Sequence, residues 1–191
     1  MWFCYDGLES DWHTMRTTLN VLLISDKNSK TGLSEYLKDQ VISTLEENGH
    51  LVEVFELGKN EVTQCIGCLN CLTKHPGECV NKDVVNNIRK KVDEGRYSAT
   101  FFLTPVVFGH YSSTMASPIN KGTGCHSLQV IIGYGEDQSE EEKNTFIDLT
   151  AKHRGKMDII HPGMDREVDV YVSSCAEDTD KICESLKKYS G

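Results

Sequence analysis

Short apolar segments alternate with helical repeats along most of this chain, and this alternation constrains the fold more than any other feature. Leu33, Leu37, Val41 and Leu45, for example, recur at helical spacing after the first apolar segment. The apolar segments, each expected to form a strand, are Asn20–Ser25, Leu51–Phe55, Ala99–Thr104, Leu128–Ile132 and Val168–Val172. Strands that alternate with helices form a parallel sheet through right-handed crossovers. We therefore predict an α/β fold: a doubly wound, five-stranded parallel sheet in the order 2-1-3-4-5, with helices on both faces.

Capping and breaking residues predict where some elements begin and end. Asp83 is expected to cap one helix, and Ser139 with Glu142 forms a capping box that opens another helix through about His153. Pro105 is expected to stop the third strand, because proline cannot donate a hydrogen bond to a neighbouring strand.

The length of 191 residues suits one domain and is marginal for two. We expect residues 20–191 to form a single domain with a cysteine-rich insert at residues 64–80. Residues 1–19 stand outside the strand and helix pattern, and they contain both tryptophans of the chain, Trp2 and Trp12. We expect them to form an ordered N-terminal extension that packs on the domain or on a partner chain.

Charge and hydropathy exclude two classes of partner. The net charge is −9 and the basic residues are spread along the chain, which argues against a nucleic acid as the main partner. No apolar stretch is long enough to cross a membrane, and the N-terminus lacks the features of a signal peptide. Eight cysteines without a secretion signal predict a cytoplasmic protein that uses thiols or metals.

The loop after the first strand combines hydroxyls, an amide, lysines and a helix N-terminus, which together suit an anionic phosphate. Its polar residues are Ser25, Lys27, Asn28, Ser29, Lys30 and Thr31. Neither a Walker A sequence nor a G-x-G-x-x-G motif is present, and connecting loops are commonly polar. Taken alone, this loop is a weak phosphate signal.

Two more loops are expected at the same edge, because the carboxyl ends of parallel strands lie together. The loop after the third strand contains Phe108, Gly109 and Tyr111, and the loop after the fourth strand begins with Gly133 and Tyr134. One loop suited to phosphate beside two aromatic, glycine-containing loops predicts a site for flavin mononucleotide (FMN).

A run of closely spaced cysteines follows the second strand. Cys65, Cys68, Cys71 and Cys79 have the spacing C-x2-C-x2-C-x7-C within fifteen residues. Ordinary cores scatter their cysteines, whereas soft metals need several thiolates at one point. Structural zinc usually takes two separated cysteine pairs, so this run favours one [4Fe–4S] cluster on all four thiolates. Zinc and disulfide bonds are the alternatives.

These motifs together resemble the iron–sulfur flavoprotein branch of the NADPH-dependent FMN reductase superfamily. The resemblance rests on the serine-rich loop, the cysteine run, Lys82-Asp83, and the Thr104–Gly109 segment followed by Tyr111-Ser112-Ser113. It spans roughly residues 20 to 175. It implies a flavodoxin-like fold, FMN held by the three loops, and a cluster near the flavin.

The resemblance also implies site residues, which fall in four groups. The phosphate loop would comprise Ser25, Lys27, Asn28, Ser29 and Thr31. The loop along the edge of the flavin ring would comprise Thr104, Pro105, Val106, Val107, Phe108 and Gly109. The second ring-side loop would comprise Gly133, Tyr134 and Gly135, and the cluster ligands would be Cys65, Cys68, Cys71 and Cys79.

Two positions depart from the pattern of those proteins. Asp26 stands where proline is common and would put a negative charge near the expected phosphate. Pro118 is expected to break early the helix that follows Tyr111-Ser112-Ser113.

Three functions are compatible with these features. The first is an electron-transfer flavoprotein that uses FMN and a [4Fe–4S] cluster, with a redox partner such as ferredoxin. The second is a reductase that passes electrons from NAD(P)H to flavins, quinones or similar small-molecule acceptors, with the cysteines vestigial or structural. The third is a zinc-stapled binding module without enzymatic activity. The resemblance favours a flavin-dependent oxidoreductase that forms a homodimer or homotetramer, and since the cofactors would carry the chemistry, no side chain is assigned as acid or base.

Overall fold

A parallel sheet forms the centre of the fold. The structure is a computed structural model that describes residues 18–75, 78–123, 127–160 and 168–189. Within these ranges, the side chains of residue 72 and of residues 153–160 are not described. The strands pair in the order β2-β1-β3-β5-β6, and a two-residue strand, β4, pairs antiparallel with β3. They are β1 (Asn20–Asp26), β2 (Leu51–Leu57), β3 (Ala99–Val107), β4 (His110–Tyr111), β5 (Leu128–Tyr134) and β6 (Val168–Ser173). The predicted fold class is confirmed, and β4 is an addition that the sequence pattern did not predict.

Helices connect the parallel strands. They are α1 (Gly32–Glu47), α2 (Asn70–Thr73), α3 (Val84–Asp93), α4 (Ser113–Asn120), α5 (Glu140–Ile160) and α6 (Ala176–Leu186), followed by a 3-10 turn (Lys187–Tyr189). The predicted caps are present: Asp83 accepts from the backbone N–H of Asn86 at 3.3 Å, and Ser139 forms its capping box with Glu142. Within the described ranges, no helix has both the length and the apolar character that a membrane span requires.

The apolar strands are continuous because the sheet is buried on both faces. Val21 and Leu23 of β1 belong to a core cluster that includes residues of α1 and α6. Leu22 and Ile24 belong to a second cluster on the opposite face, with residues of α3, α4 and α5. Packing on both faces fixes the strand ends and therefore the starting points of the loops that follow them.

Three predicted boundaries are wrong. Strand β3 continues through Pro105 to Val107, because Pro105 lies beyond Leu103, the last residue of β3 that pairs with β1. Helix α5 runs to Ile160 rather than to about residue 153. Helix α4 continues for two residues past Pro118 before it ends, so the proline lies near the C-terminus of a short helix instead of cutting it off.

The predicted extension, residues 1–19, lies outside the described residues except for Thr18 and Leu19. The backbone N–H of Leu19 donates to Nδ1 of the buried His50 at 3.2 Å, and the carbonyl of Leu19 accepts from Leu51. Leu19 is therefore held beside the start of β2.

We expect His50 to make folding stability depend on pH. Burial lowers the pKa of His50 from the ordinary value of 6.5, and the backbone of Tyr189 offsets only part of this effect. The unfolded chain then binds a proton more readily than the folded protein, so this stabilisation is complete above pH 6.5 and is lost as the pH falls towards the folded pKa.

The measurement is urea unfolding of the wild type and of His50→Asn from pH 8 to pH 5, since Asn offers an acceptor without a titrating ring. The difference in unfolding free energy between the two proteins should be constant above about pH 7 and should shift against the wild type at lower pH. Parallel curves over the whole range would contradict this role for His50.

Candidate functional site

Three loops follow the carboxyl ends of β1, β3 and β5 and meet at one edge of the sheet. Strand register brings these ends together, because Ser25 pairs with Leu103 and Pro105 pairs with Tyr134. Doubly wound sheets bind their ligands at this edge. The sequence-predicted flavin residues within 25–31, 104–109 and 133–135, which lie at the ends of these strands and in the loops after them, are therefore brought into one neighbourhood.

The Asp26 carboxylate joins the first loop to the second. Asp26 is only 5% exposed. Its Oδ1 accepts from the backbone N–H of Asn28 at 2.8 Å and from the Asn28 side chain at 3.0 Å. Its Oδ2 accepts from the hydroxyl of Ser112, the N-cap of α4, at 2.6 Å. The backbone N–H of Ser112 donates in turn to Thr104 Oγ1 at 3.0 Å.

Two further hydrogen bonds cross between elements at this edge. The Asn28 side-chain amide donates to Thr114 Oγ1 at 3.3 Å, and the Tyr134 phenol donates to the Ser29 carbonyl at 3.3 Å. Burial, and after it the negative charge of Asp26, raises the pKa of Tyr134. A tyrosine is already protonated at neutral pH with its ordinary pKa of 10.0, so the raised pKa only extends the pH range over which this phenol remains a donor.

Both lysines of the first loop form ion pairs with neighbouring carboxylates. Lys27 forms an ion pair with Glu61, and Lys30 Nζ lies 3.1 Å from Glu56. Both belong to the loop that the sequence suggests for a phosphate, and in the structure each has a carboxylate partner. The buried hydroxyl of Ser25 has no hydrogen-bond partner among the described residues, so it is available to a polar atom of a ligand.

Strand β3 and strand β4 form a short hairpin whose tip carries an exposed aromatic ring. Phe108 is 92% exposed and has a φ of 50°. Gly109 has a φ of 71°, and a Cβ at this position would lie 2.8 Å from Cγ2 of Thr145 on α5. Glycine is therefore needed at the turn for both its conformation and its close contact with α5. Val106 is buried, while Val107 is exposed beside Phe108.

Gly133 has a structural role that sequence reasoning missed. A Cβ on Gly133 would lie 2.6 Å from Cγ2 of Val106 and 2.8 Å from Cε1 of Phe146. A Cβ on Gly135 would lie 2.7 Å from Nε2 of Gln138. These glycines therefore allow the β5 loop to pack closely on the chain itself, which a glycine-rich sequence could not distinguish from close approach to a flavin.

The cysteine segment lies at the surface after β2. Cys65 and Cys68 are exposed, Cys71 in α2 and Cys79 are half-buried, and all four are free thiols. Their chemistry suits a soft metal, but in the described part of the chain no three His, Cys, Asp or Glu side chains come together as metal ligands. The geometry therefore does not bring the four predicted ligands to one point.

A buried ion pair lies at the base of the cysteine segment. Lys121 Nζ is 2.6 Å from Asp83 Oδ2, and the two side chains are 2% and 6% exposed. The same carboxylate oxygen accepts from the backbone N–H of Thr63 at 2.6 Å, and the hydroxyl of Ser117 donates to the Thr63 carbonyl at 2.8 Å. Sequence reasoning gave Lys121 no role, because nothing in the local pattern distinguishes it from an exposed lysine at a helix end.

Further hydrogen bonds tie the two ends of the segment together. The Asn81 side chain donates to the Gln64 carbonyl at 3.1 Å, and the Asn86 side chain donates to the Asn81 carbonyl at 2.7 Å. The Gln64 side chain donates to the Ser113 carbonyl at 2.6 Å. The base of the cysteine segment is thus attached to α4, the helix whose first turn begins at the three-loop edge.

The three-loop edge fits a flavin in its chemistry: it combines hydroxyls, the N-terminus of α1, an unpaired buried hydroxyl and an exposed aromatic ring. The model of the NADPH-dependent FMN reductase family matches residues 19–123, which is more than half of the chain. The chain belongs to this family. FMN is the flavin that this family assignment supports.

Two comparisons show which proteins the chain is similar to. It is 28% identical over 92 residues to an iron–sulfur flavoprotein from Archaeoglobus fulgidus, and the aligned region spans 48% of this chain and 40% of that relative. Its fold is similar to that of an NAD(P)H:quinone oxidoreductase from Methanothermobacter marburgensis, with a TM-score of 0.60 and 12% identity over 91% of this chain and 96% of the other.

The flavodiiron core from Synechocystis has the same fold, with a TM-score of 0.54 and 15% identity, and the match covers 91% of this chain and 35% of that structure. At such identities the structural similarity establishes a shared fold and nothing further.

We expect Lys121→Met to destabilise the protein strongly. The substitution leaves the buried Asp83 carboxylate without its cation, and breaking a buried pair in this way costs about 3–5 kcal/mol. Urea unfolding measures the loss, and Lys90→Met on α3, where the lysine is exposed and only weakly paired with Glu94, is the matched control with a change within about 0.5 kcal/mol. Equal stabilities of the two variants would show that the buried pair contributes nothing specific.

Proposed function

We propose that this chain takes electrons from NAD(P)H and passes them to a quinone or a free flavin, with FMN bound at the three-loop edge. The main support is the set of hydrogen bonds that joins the loops, Ser112 to Asp26 and Tyr134 to the Ser29 carbonyl, in a chain of the NADPH-dependent FMN reductase family. One similar structure is an NAD(P)H:quinone oxidoreductase, which supports the same classes of donor and acceptor.

Bound FMN would supply the redox chemistry, because a flavin accepts a hydride as an electron pair and can release electrons singly. The chain itself would bind the flavin and orient it. Asp26 and Ser112 hold the first two loops at a fixed separation, and Tyr134 holds the third loop against the first. Phe108 offers an apolar ring surface beside them. We assign no side chain as a general acid or base.

Ser112→Ala tests this proposal. The variant loses both the bond to Asp26 and the N-cap of α4, so we expect FMN affinity to fall about tenfold. Flavin fluorescence quenching measures the affinity, and NADPH oxidation with a water-soluble quinone measures turnover. Ser185→Ala, at an exposed serine of α6, is the control and should match the wild type. Absence of FMN binding and of quinone-dependent NADPH oxidation in the wild type would refute the proposed function.

A cluster on the cysteine segment is the second candidate function, as in an electron-transfer flavoprotein. It is supported by the four free thiols at C-x2-C-x2-C-x7-C spacing and by the name of the relative, an iron–sulfur flavoprotein. The described geometry does not gather the four sulfurs, so binding would require the segment to close around the metal, as happens when metal binding is coupled to folding. We derive no electron-transfer step through it.

Anaerobic purification followed by iron, sulfide, zinc and flavin analysis separates the candidate functions. Four irons and four sulfides per chain are expected for a cluster, and Cys71→Ser should remove them while FMN remains bound. Cys183→Ser, at a buried cysteine of α6, is the matched control that should retain the metal. FMN without iron would support a reductase with structural cysteines, and one zinc without flavin would support a binding module instead.

We also propose a redox partner such as ferredoxin or a small-molecule acceptor, and a homodimer or homotetramer. The exposed ring of Phe108 supports a contact surface at the three-loop edge.

A further inference from the structure

The loop between β1 and α1 carries a buried negative charge at the point where a flavin phosphate is expected. The hydrogen-bond partners of the Asp26 carboxylate are Asn28 and Ser112, which are both neutral. Among the described residues, Asp26 forms no ion pair with any lysine or arginine. The bond from the backbone N–H of Asn28 also uses a donor that a phosphate could otherwise have taken.

The lysines around this loop do not supply the missing positive charge, because carboxylates already pair with them. Glu61 pairs with Lys27, while Glu56 lies 3.1 Å from Lys30 and 2.9 Å from Lys38. Glu35 also lies beside Lys30 and Lys38. Together with the buried Asp26, the neighbourhood contains four carboxylates and three lysines, so its net charge is −1.

The negative charge acts across the site. The pKa of Tyr134, on the far loop, is raised first by burial and then by Asp26 and Glu35. A phosphate monoester carries close to two negative charges at neutral pH, so the same charge would repel it. This repulsion opposes the attraction that the N-terminus of α1 would otherwise exert on an anion.

We propose that Asp26 is a specificity-determining residue that cancels the contribution of the phosphate to flavin affinity, so that the site binds riboflavin about as well as FMN. The ring and the ribityl chain, which both flavins share, then provide the affinity. The inference deepens the proposed function and rests on it, since it concerns the same flavin site.

The test compares the dissociation constants of FMN and riboflavin for the wild type and for Asp26→Asn. The amide keeps the size of the side chain and an acceptor for Asn28, but removes the charge. For the wild type, the two dissociation constants should agree within about tenfold. The variant should bind FMN at least about tenfold more tightly than the wild type does, while its affinity for riboflavin should change less than about twofold. Added salt should change FMN binding to the wild type little, because attraction and repulsion cancel there, and should weaken FMN binding to the variant, in which the attraction of the α1 N-terminus is unopposed.

A second variant keeps the test decisive if Asp26→Asn fails to fold. Glu61→Gln removes the partner of Lys27 at an exposed position, and it should also favour FMN over riboflavin. Glu94→Gln, which removes one exposed carboxylate beside Lys90 on α3, makes the same change in net charge and should leave the ratio of the two constants unaltered.

The outcomes separate the inference from the proposed function. Binding of both flavins with a ratio that neither Asp26→Asn nor Glu61→Gln alters would overturn the role of Asp26 and leave the flavin site intact. An FMN preference of about a hundredfold or more in the wild type would also overturn it. If neither flavin binds to the wild type, the proposed function itself fails, and the inference fails with it.

Discussion

A parallel sheet covered by helices on both faces brings the carboxyl ends of its strands to one edge, and the candidate site depends on this constraint. Leu22 and Leu23, neighbours in β1, are each fully buried in a different core cluster, so the strand cannot shift without exposing apolar surface on one face. The loops after β1, β3 and β5 therefore start from fixed positions. Polar side chains on these loops can then bond to each other across long distances in sequence.

Helix α4 links the three-loop edge to the cysteine segment. At its start, Ser112 bonds to the Asp26 carboxylate of the first loop. Just after its end, Lys121 forms the buried pair with Asp83 at the base of the cysteine segment. Two buried carboxylates thus hold this short helix between the three-loop edge and the cysteine segment: Asp26 is satisfied by neutral donors, and Asp83 is paired with a lysine.

The strands, the fold class and the caps at Asp83 and Ser139 could be predicted because they depend on nearby residues and on repeating apolar positions. The errors have identifiable physical causes. Pro105 remains within β3 because it lies past the residues that pair with β1, and strand pairing is a tertiary property. The ion pairs of Lys27 with Glu61 and of Lys30 with Glu56 could not be predicted either, because Glu56 of β2 and Glu61 of the loop after β2 become neighbours of the first loop only in the folded sheet.

Periodicity and residue type were thus sufficient for the architecture, the location of the three loops and the presence of a thiol-rich segment, since these follow from local chemistry along the chain. The distribution of charge in the site required the folded structure. The pairing of Asp26 with Ser112 joins residues 86 positions apart, and that of Asp83 with Lys121 joins residues 38 positions apart. Such contacts depend on which strand ends become neighbours in the folded sheet. The sequence also does not distinguish a carboxylate that will be buried from one that will be exposed.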